Sequence, residues 1–144
     1  MADSLPTKDE AFARLEAYQR RLEEAFAKGA GAYDAAFEGA PPGLALHEID
    51  REATLTRVNS RELEILGRAR EDVVGHKTWQ FAVMQEASRR AVERKLAGGG
   101  LKPFVRTLTR ADGSGFTAAF VERYVHDAHG EIAGIRTAFM PIRA

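Results

Sequence analysis

Few side chains in this sequence are equipped for chemistry, and the missing ones narrow the choice as much as those present. Cysteine is absent, which removes disulfides, thiolate metal sites, thiol nucleophiles and cysteine-based redox sensing together. His47, His76, His126 and His129 are the only histidines, and no serine–histidine–acid order suggests a nucleophile. His76 follows Gly75 near a helix start and could act as a ligand, although a solvent-facing side chain is the simpler reading. No glycine loop carries the lysine of a phosphate-binding loop. Gly98-Gly99-Gly100 follows a helical stretch instead of opening one, so it is a stop signal. The pair that stands out is Arg106 and Glu122. Period-two alternation sets Phe104, Arg106 and Leu108 on one side of their strand, and Ala118, Phe120 and Glu122 on the matching side of the next. Two opposite charges then sit on an apolar face, roughly diagonal across the ladder. Burying either alone is costly, so the expectation is an ion pair, an escape to solvent at the sheet edge, or a site for a polar ligand.

The elements that must position these residues can be read along the chain. Thr7 and Glu10 have capping-box spacing and open a helix. Apolar residues follow at Phe12, Leu15, Leu22 and Phe26, with Gln19 completing the alternating steps of three and four, the seam of a coiled coil about three heptads long. Such a stripe either meets a partner chain or lies back on its own domain; a polar residue inside the seam favours a partner, because it sets register. Gly29 to Gly31 ends the helix, and residues 33–38 make a short second one before Gly39 and Pro41-Pro42. Residues 44–49 and 55–58 read as a hairpin. Asn59 and Glu62 cap a helix that stops at Gly67, residues 71–74 add one turn, and residues 85–97 form a longer helix. The charged residues of this last helix, up to Lys95, read as a solvated face. Three strands close the chain, residues 104–110, 116–125 and 132–140, with turns at Asp112-Gly113 and between Asp127 and Gly130. Two strands, several helices and three strands can share one antiparallel sheet with the helices on one face.

Length and composition agree with a single α+β domain. The chain has 144 residues, of which 44% are hydrophobic and 29% charged, which suits one core and excludes wholesale disorder. Basic and acidic residues number 21 each, so no basic excess is available for phosphates and nucleic acid is not expected as a partner. The first ten residues lack the apolar core of a signal peptide, and no stretch approaches the roughly 20 apolar residues of a membrane helix. A soluble cytoplasmic protein with no membrane partner is expected.

The element order, together with specific residues, resembles the PAS domain family. The residues that carry the resemblance are Phe37-Glu38-Gly39-Ala40-Pro41, Leu46-His47-Glu48-Ile49-Asp50, Arg57-Val58-Asn59, Leu66-Gly67, Glu71-Asp72-Val73-Val74-Gly75, Trp79-Gln80-Phe81 and Arg110-Ala111-Asp112-Gly113-Ser114. The chain looks most like the PAS modules of bacterial sensor kinases and cyclic-dinucleotide enzymes. The resemblance implies a non-enzymatic sensory domain over residues 32–144, preceded by a dimerisation helix and hinge over residues 1–31. It implies a core cavity lined by Ala118, Phe120, Glu122, Arg106, Leu108 and Trp79 and an effector protein as a further partner, while the seam spacing of the first helix leads us to expect a homodimer built on Phe12, Leu15, Gln19, Leu22 and Phe26. Haem is not expected, because haem-binding relatives use a histidine on the long helix and residues 85–97 contain none. Covalent flavin is not expected without cysteine. Non-covalent flavin stays open, with Trp79 available to stack on it, although Trp79 is more simply a core anchor. One departure concerns output: such modules end their last strand in Asp-Ile-Thr, and Pro141-Ile142-Arg143 stands here, which moves the expected signal route to the amino-terminal helix. Two rivals remain. One is a cone-shaped enzyme of the ketosteroid-isomerase kind using Glu122 or a histidine as a base, in which helices precede a long curved sheet. The other is a ligand-free dimerisation module with a filled core.

Overall fold

A computed structural model describes residues 4–143. Its first element is α1 (Lys8–Lys28), opened by the expected capping box: Thr7 Oγ1 accepts from the Glu10 amide and Glu10 accepts from the Thr7 amide. Gly29 breaks the helix at φ 130° and α2 (Ala30–Glu38) follows at once. β1 (Ala45–Ile49) and β2 (Leu55–Val58) form the hairpin. Then come α3 (Ser60–Leu66), 3-10 turns at Arg70–Asp72 and Thr78–Phe81, and α4 (Gln85–Leu96). β3 (Phe104–Thr109), β4 (Gly115–His126) and β5 (Ile132–Pro141) complete the chain.

The strands form one antiparallel sheet in the order β2-β1-β5-β4-β3. The first and last strands meet at its centre, with His47 opposite Thr137 and Ala45 opposite Phe139. That pairing is non-local, and Asn59 helps lock it. Its Oδ1 accepts from the amides of Leu46 and Glu62, while Nδ2 donates to the carbonyls of Phe37 and Leu44. A side chain expected only to cap α3 thus also ties that helix to α2 and β1.

Alternation along the strands feeds two cores. On the front face Ala45, Ile49, Ala118, Phe120, Ile135 and Phe139 pack against α3, α4 and the turns between them. On the back face Leu46, Ala119, Val121, Ala138 and Met140 pack against α1 and α2. This corrects the expectation of a helix presenting its seam to a second chain. Leu15, Gln19 and Leu22 are wholly buried on the chain's own sheet, so they are unavailable to a partner in this arrangement. The buried stripe is Ala11, Leu15, Tyr18, Gln19 and Leu22, so the expected line keeps its three central residues and loses Phe12 and Phe26 at its ends. Phe12 only flanks it, and Phe26 is 69% exposed. The physical reason lies in Gln19. Its amide Nε2 donates to the carbonyls of Val121 and Arg136, and its Oε1 accepts from Arg136 Nε at 2.7 Å. The polar residue in the stripe pins α1 to β4 and β5.

Candidate functional site

The front face does not close completely. Beneath α4 lies a cavity of about 50 Å³. Its floor is ordered by strand register into rows. One row is polar: His47 on β1, Thr137 on β5 and Glu122 on β4 stand side by side. The next is apolar: Ala45, Phe139, Phe120 and Phe104 run across four strands. Phe104 and Phe120 stack at 4.7 Å between ring centres, and Phe139 lies 5.1 Å beyond Phe120. The roof comes from Ser88, Val92 and Lys95 of α4, and Trp79 and Phe81 close one side.

Arg106 and Glu122 both face this cavity, as parity requires, but they do not pair with each other. Arg106 sits opposite Ala118, well along β4 from Glu122, and its Nη1 donates to Ser88 Oγ at 2.5 Å. Glu122 is paired instead by Lys95, whose Nζ donates to Oε1 at 2.8 Å, while Thr137 Oγ1 donates to Oε2 at 2.8 Å. Lys95 therefore departs from the solvated face assigned to it: its side chain is 10% exposed and that of Glu122 8%. A lysine stem is long enough to cross from helix to sheet, and its ammonium also lies 3.8 Å from the Phe104 ring centre. Of the other residues placed at the cavity, Phe120, Leu108 and Trp79 line it, whereas Ala118 is packed in the front core beside it.

The pair that sequence reasoning missed is His47 with Glu62. His47 Nδ1 lies 2.8 and 3.0 Å from the two Glu62 oxygens, and both residues are almost fully buried. Burial pulls the imidazole pKa down, but the charge and hydrogen bond of Glu62, helped by Glu122 and Glu48, carry it above the ordinary histidine value. His47 Nε2 has no protein partner among the described residues, and the ring lines the cavity. A signal for His47 was present, since it shares strand parity with Ala45 and Ile49. For Glu62 the capping pattern masked it. Its amide does cap against Asn59, but its carboxylate turns to His47. His76 is exposed, as the simpler reading had it. Among the described residues no cluster of acidic and histidine side chains has the makings of a metal site, and no helix is long and apolar enough to cross a membrane.

A central β1–β5 pair, helices inserted between β2 and β3, and a small cavity under the longest of them define the PAS fold. The cone-shaped rival fails on strand order, because two strands precede α3 and α4 here. No protein-family model and no curated protein matches the sequence. Solved structures do. The chain is similar to the PAS domain of an HTR-like protein from Haloarcula marismortui, at 25% identity and a TM-score of 0.64, over 88% of this chain and 99% of that one. It is similar to the PAS domain of a protein from Colwellia psychrerythraea, at 13% identity and a TM-score of 0.66, over 76% and 93%. It is also similar to the PAS domain, solved in complex with ethanol, of a LuxR-family transcriptional regulator from Burkholderia thailandensis, at 23% identity and a TM-score of 0.61, over 78% and 98%. The chain has the fold of these PAS domains. PAS domains are typically sensory modules.

Proposed function

We propose that the chain is a sensory PAS module that takes a small molecule into the cavity beneath α4 and signals its occupancy through association with a second copy of the chain. The observation that carries the first half is a partly open cavity with a polar row on its floor, where His47 offers a ring nitrogen with no protein partner among the described residues. The Burkholderia thailandensis PAS domain, similar in fold, was solved in complex with ethanol, a molecule of the size this cavity suits. The sequence supports no covalent flavin, for want of cysteine, and no haem, for want of a histidine on α4.

A route outwards is built into the strands. Thr137 faces the cavity, and its neighbour Arg136 faces the back, where it holds Gln19 of α1. His47 faces the cavity, and its neighbour Glu48 accepts a hydrogen bond from Tyr33 of α2. A ligand that shifts the polar row therefore presses on both attachments of the amino-terminal helices. Support for a homodimer narrows to the end of α1, where Phe26 is 69% exposed and packs edge-to-face only on Tyr33. Native mass spectrometry of the purified protein tests both halves. A dimer carrying a small bound mass is expected, and Phe26→Asp should shift the mass to the monomer. A ligand-free protein that no small molecule stabilises would favour the filled-core module, and a monomer at every concentration would remove the dimer.

A further inference from the structure

We infer that the ligand is a short-chain monocarboxylic acid, its carboxylate held by Arg106 at the cavity mouth and its hydrocarbon tail inside; this rests on the cavity being a ligand site. The hydrogen-bonding inventory of the cavity wall is one-sided. Both Glu62 oxygens face His47 Nδ1, and the Glu122 oxygens take Lys95 and Thr137. Every carboxylate oxygen on the wall is engaged. Donors, by contrast, are left over. Arg106 makes one hydrogen bond, to the neutral Ser88 hydroxyl, and no carboxylate pairs with it among the described residues, although a guanidinium carries about five N–H donors. The one charged group on the wall with no charged partner among the described residues is therefore the Arg106 guanidinium, and a ligand that brings a carboxylate completes it.

The spare charge is concentrated at one end. Lys95, Phe104 and Arg106 line both the cavity and an open groove of about 410 Å³ between the end of α4 and β3. The groove also carries Arg94 and Lys102 and no carboxylate. Lys95 is neutralised by Glu122, but Arg94, Lys102 and Arg106 have no carboxylate partner among the described residues, and three such cations around one concavity raise the local concentration of anions and direct them to the mouth. Arg106 alone among the cavity cations lacks a carboxylate partner, and a planar guanidinium suits a carboxylate two-point contact.

Size and polarity fix the remainder of the ligand. Since one water needs roughly 10–15 Å³ of such space, a cavity of about 50 Å³ holds a tail of about three carbons. Behind Arg106 the wall is the Phe104–Phe120 stack, which suits hydrocarbon. A second carboxylate on the ligand would be carried towards Glu122 and Glu62, so a monoacid is favoured over a diacid.

The test is an amide-resolved NMR titration of the intact chain with sodium butyrate and with 1-butanol, at ionic strength held constant with sodium chloride. Saturable shifts around Phe104, Arg106 and Phe120 are expected with butyrate, and much weaker ones with the alcohol. Arg106→Gln, its fold checked by its own ligand-free spectrum, should weaken butyrate by about tenfold or more and leave the alcohol unchanged. Equal binding of acid and alcohol, or an Arg106→Gln protein that keeps butyrate, overturns the carboxylate assignment and leaves the cavity as a ligand site. No saturable shift with either probe overturns both.

Discussion

Lys95 and Glu122 show how one buried pair can organise a site. Each side chain is about nine-tenths buried, so removing either partner strands a charge, at a cost of about 3–5 kcal/mol. A double-mutant cycle with Lys95→Met and Glu122→Gln, followed by urea melts, should return a large coupling. The same cycle with Arg106→Gln in place of Lys95→Met should return little, because Arg106 bonds to Ser88. A reversed ranking would mean that the strand register around Arg106 is wrong. His47 makes a pH prediction. Its pKa is raised on folding, so the native state binds more protons than the unfolded chain, and the stability this confers falls as pH rises. The contribution is fully present below about pH 6.5, the unfolded value, and is lost as pH passes through the raised native value. Burial opposes the shift, and Glu62, Glu122 and Glu48 are the charged groups that raise it. The stability gap between the parent and His47→Gln, measured from acid to alkaline pH, should shrink with rising pH. A gap that stays flat would show that His47 gains no charge on folding.

At the scale of elements, α1 depends on a polar clasp as much as on its apolar stripe. Gln19 satisfies two strand carbonyls and the Arg136 guanidinium at once, in a place water does not reach. Gln19→Leu keeps the bulk but leaves these groups unpaired, and each costs about 1–3 kcal/mol. The loss should be concentrated in α1. Hydrogen exchange should quicken along Lys8–Lys28 before it quickens in the central strands. Uniform loosening would mean that α1 and the sheet open as one unit, and unchanged exchange would mean that the clasp contributes nothing.

At the scale of the molecule, the sheet is covered on both faces, and the two faces divide the labour. The front holds the cavity, and the back holds the helices that would carry a signal. The end of β5 meets the start of α1, because the Arg143 amide donates to the Pro6 carbonyl. Removing residues 1–30 should therefore do more than change the number of subunits. It bares Leu46, Ala119, Val121, Ala138 and Met140, an apolar patch that the sheet cannot hide. Light scattering should show aggregation, and a well-behaved truncated monomer with an unchanged melting point would contradict the two-faced core.

The sequence by itself determined whatever depends on neighbours along the chain. Thr7 and Asn59 announced helix starts because a cap satisfies an amide two or three residues on. Asp112-Gly113 announced a reversal because glycine tolerates the backbone it needs, and Gly113 does lie at φ 87°. Alternation placed Arg106, Phe120 and Glu122 on one face, since side chains on a strand change sides at every residue. With the family resemblance, this was enough for strand order and for the location of the cavity. Only the tertiary structure decided who pairs with whom. Lys95 reaches Glu122 because α4 lies over β4, and Glu62 turns to His47 because α3 sits against β1. Gln19 faces inwards because α1 packs on β4 and β5. Each of these depends on where a helix lands on the sheet, which capping and periodicity leave open. The spacing of apolar residues shows that α1 must cover something, and only the packed sheet shows that the surface it covers is its own.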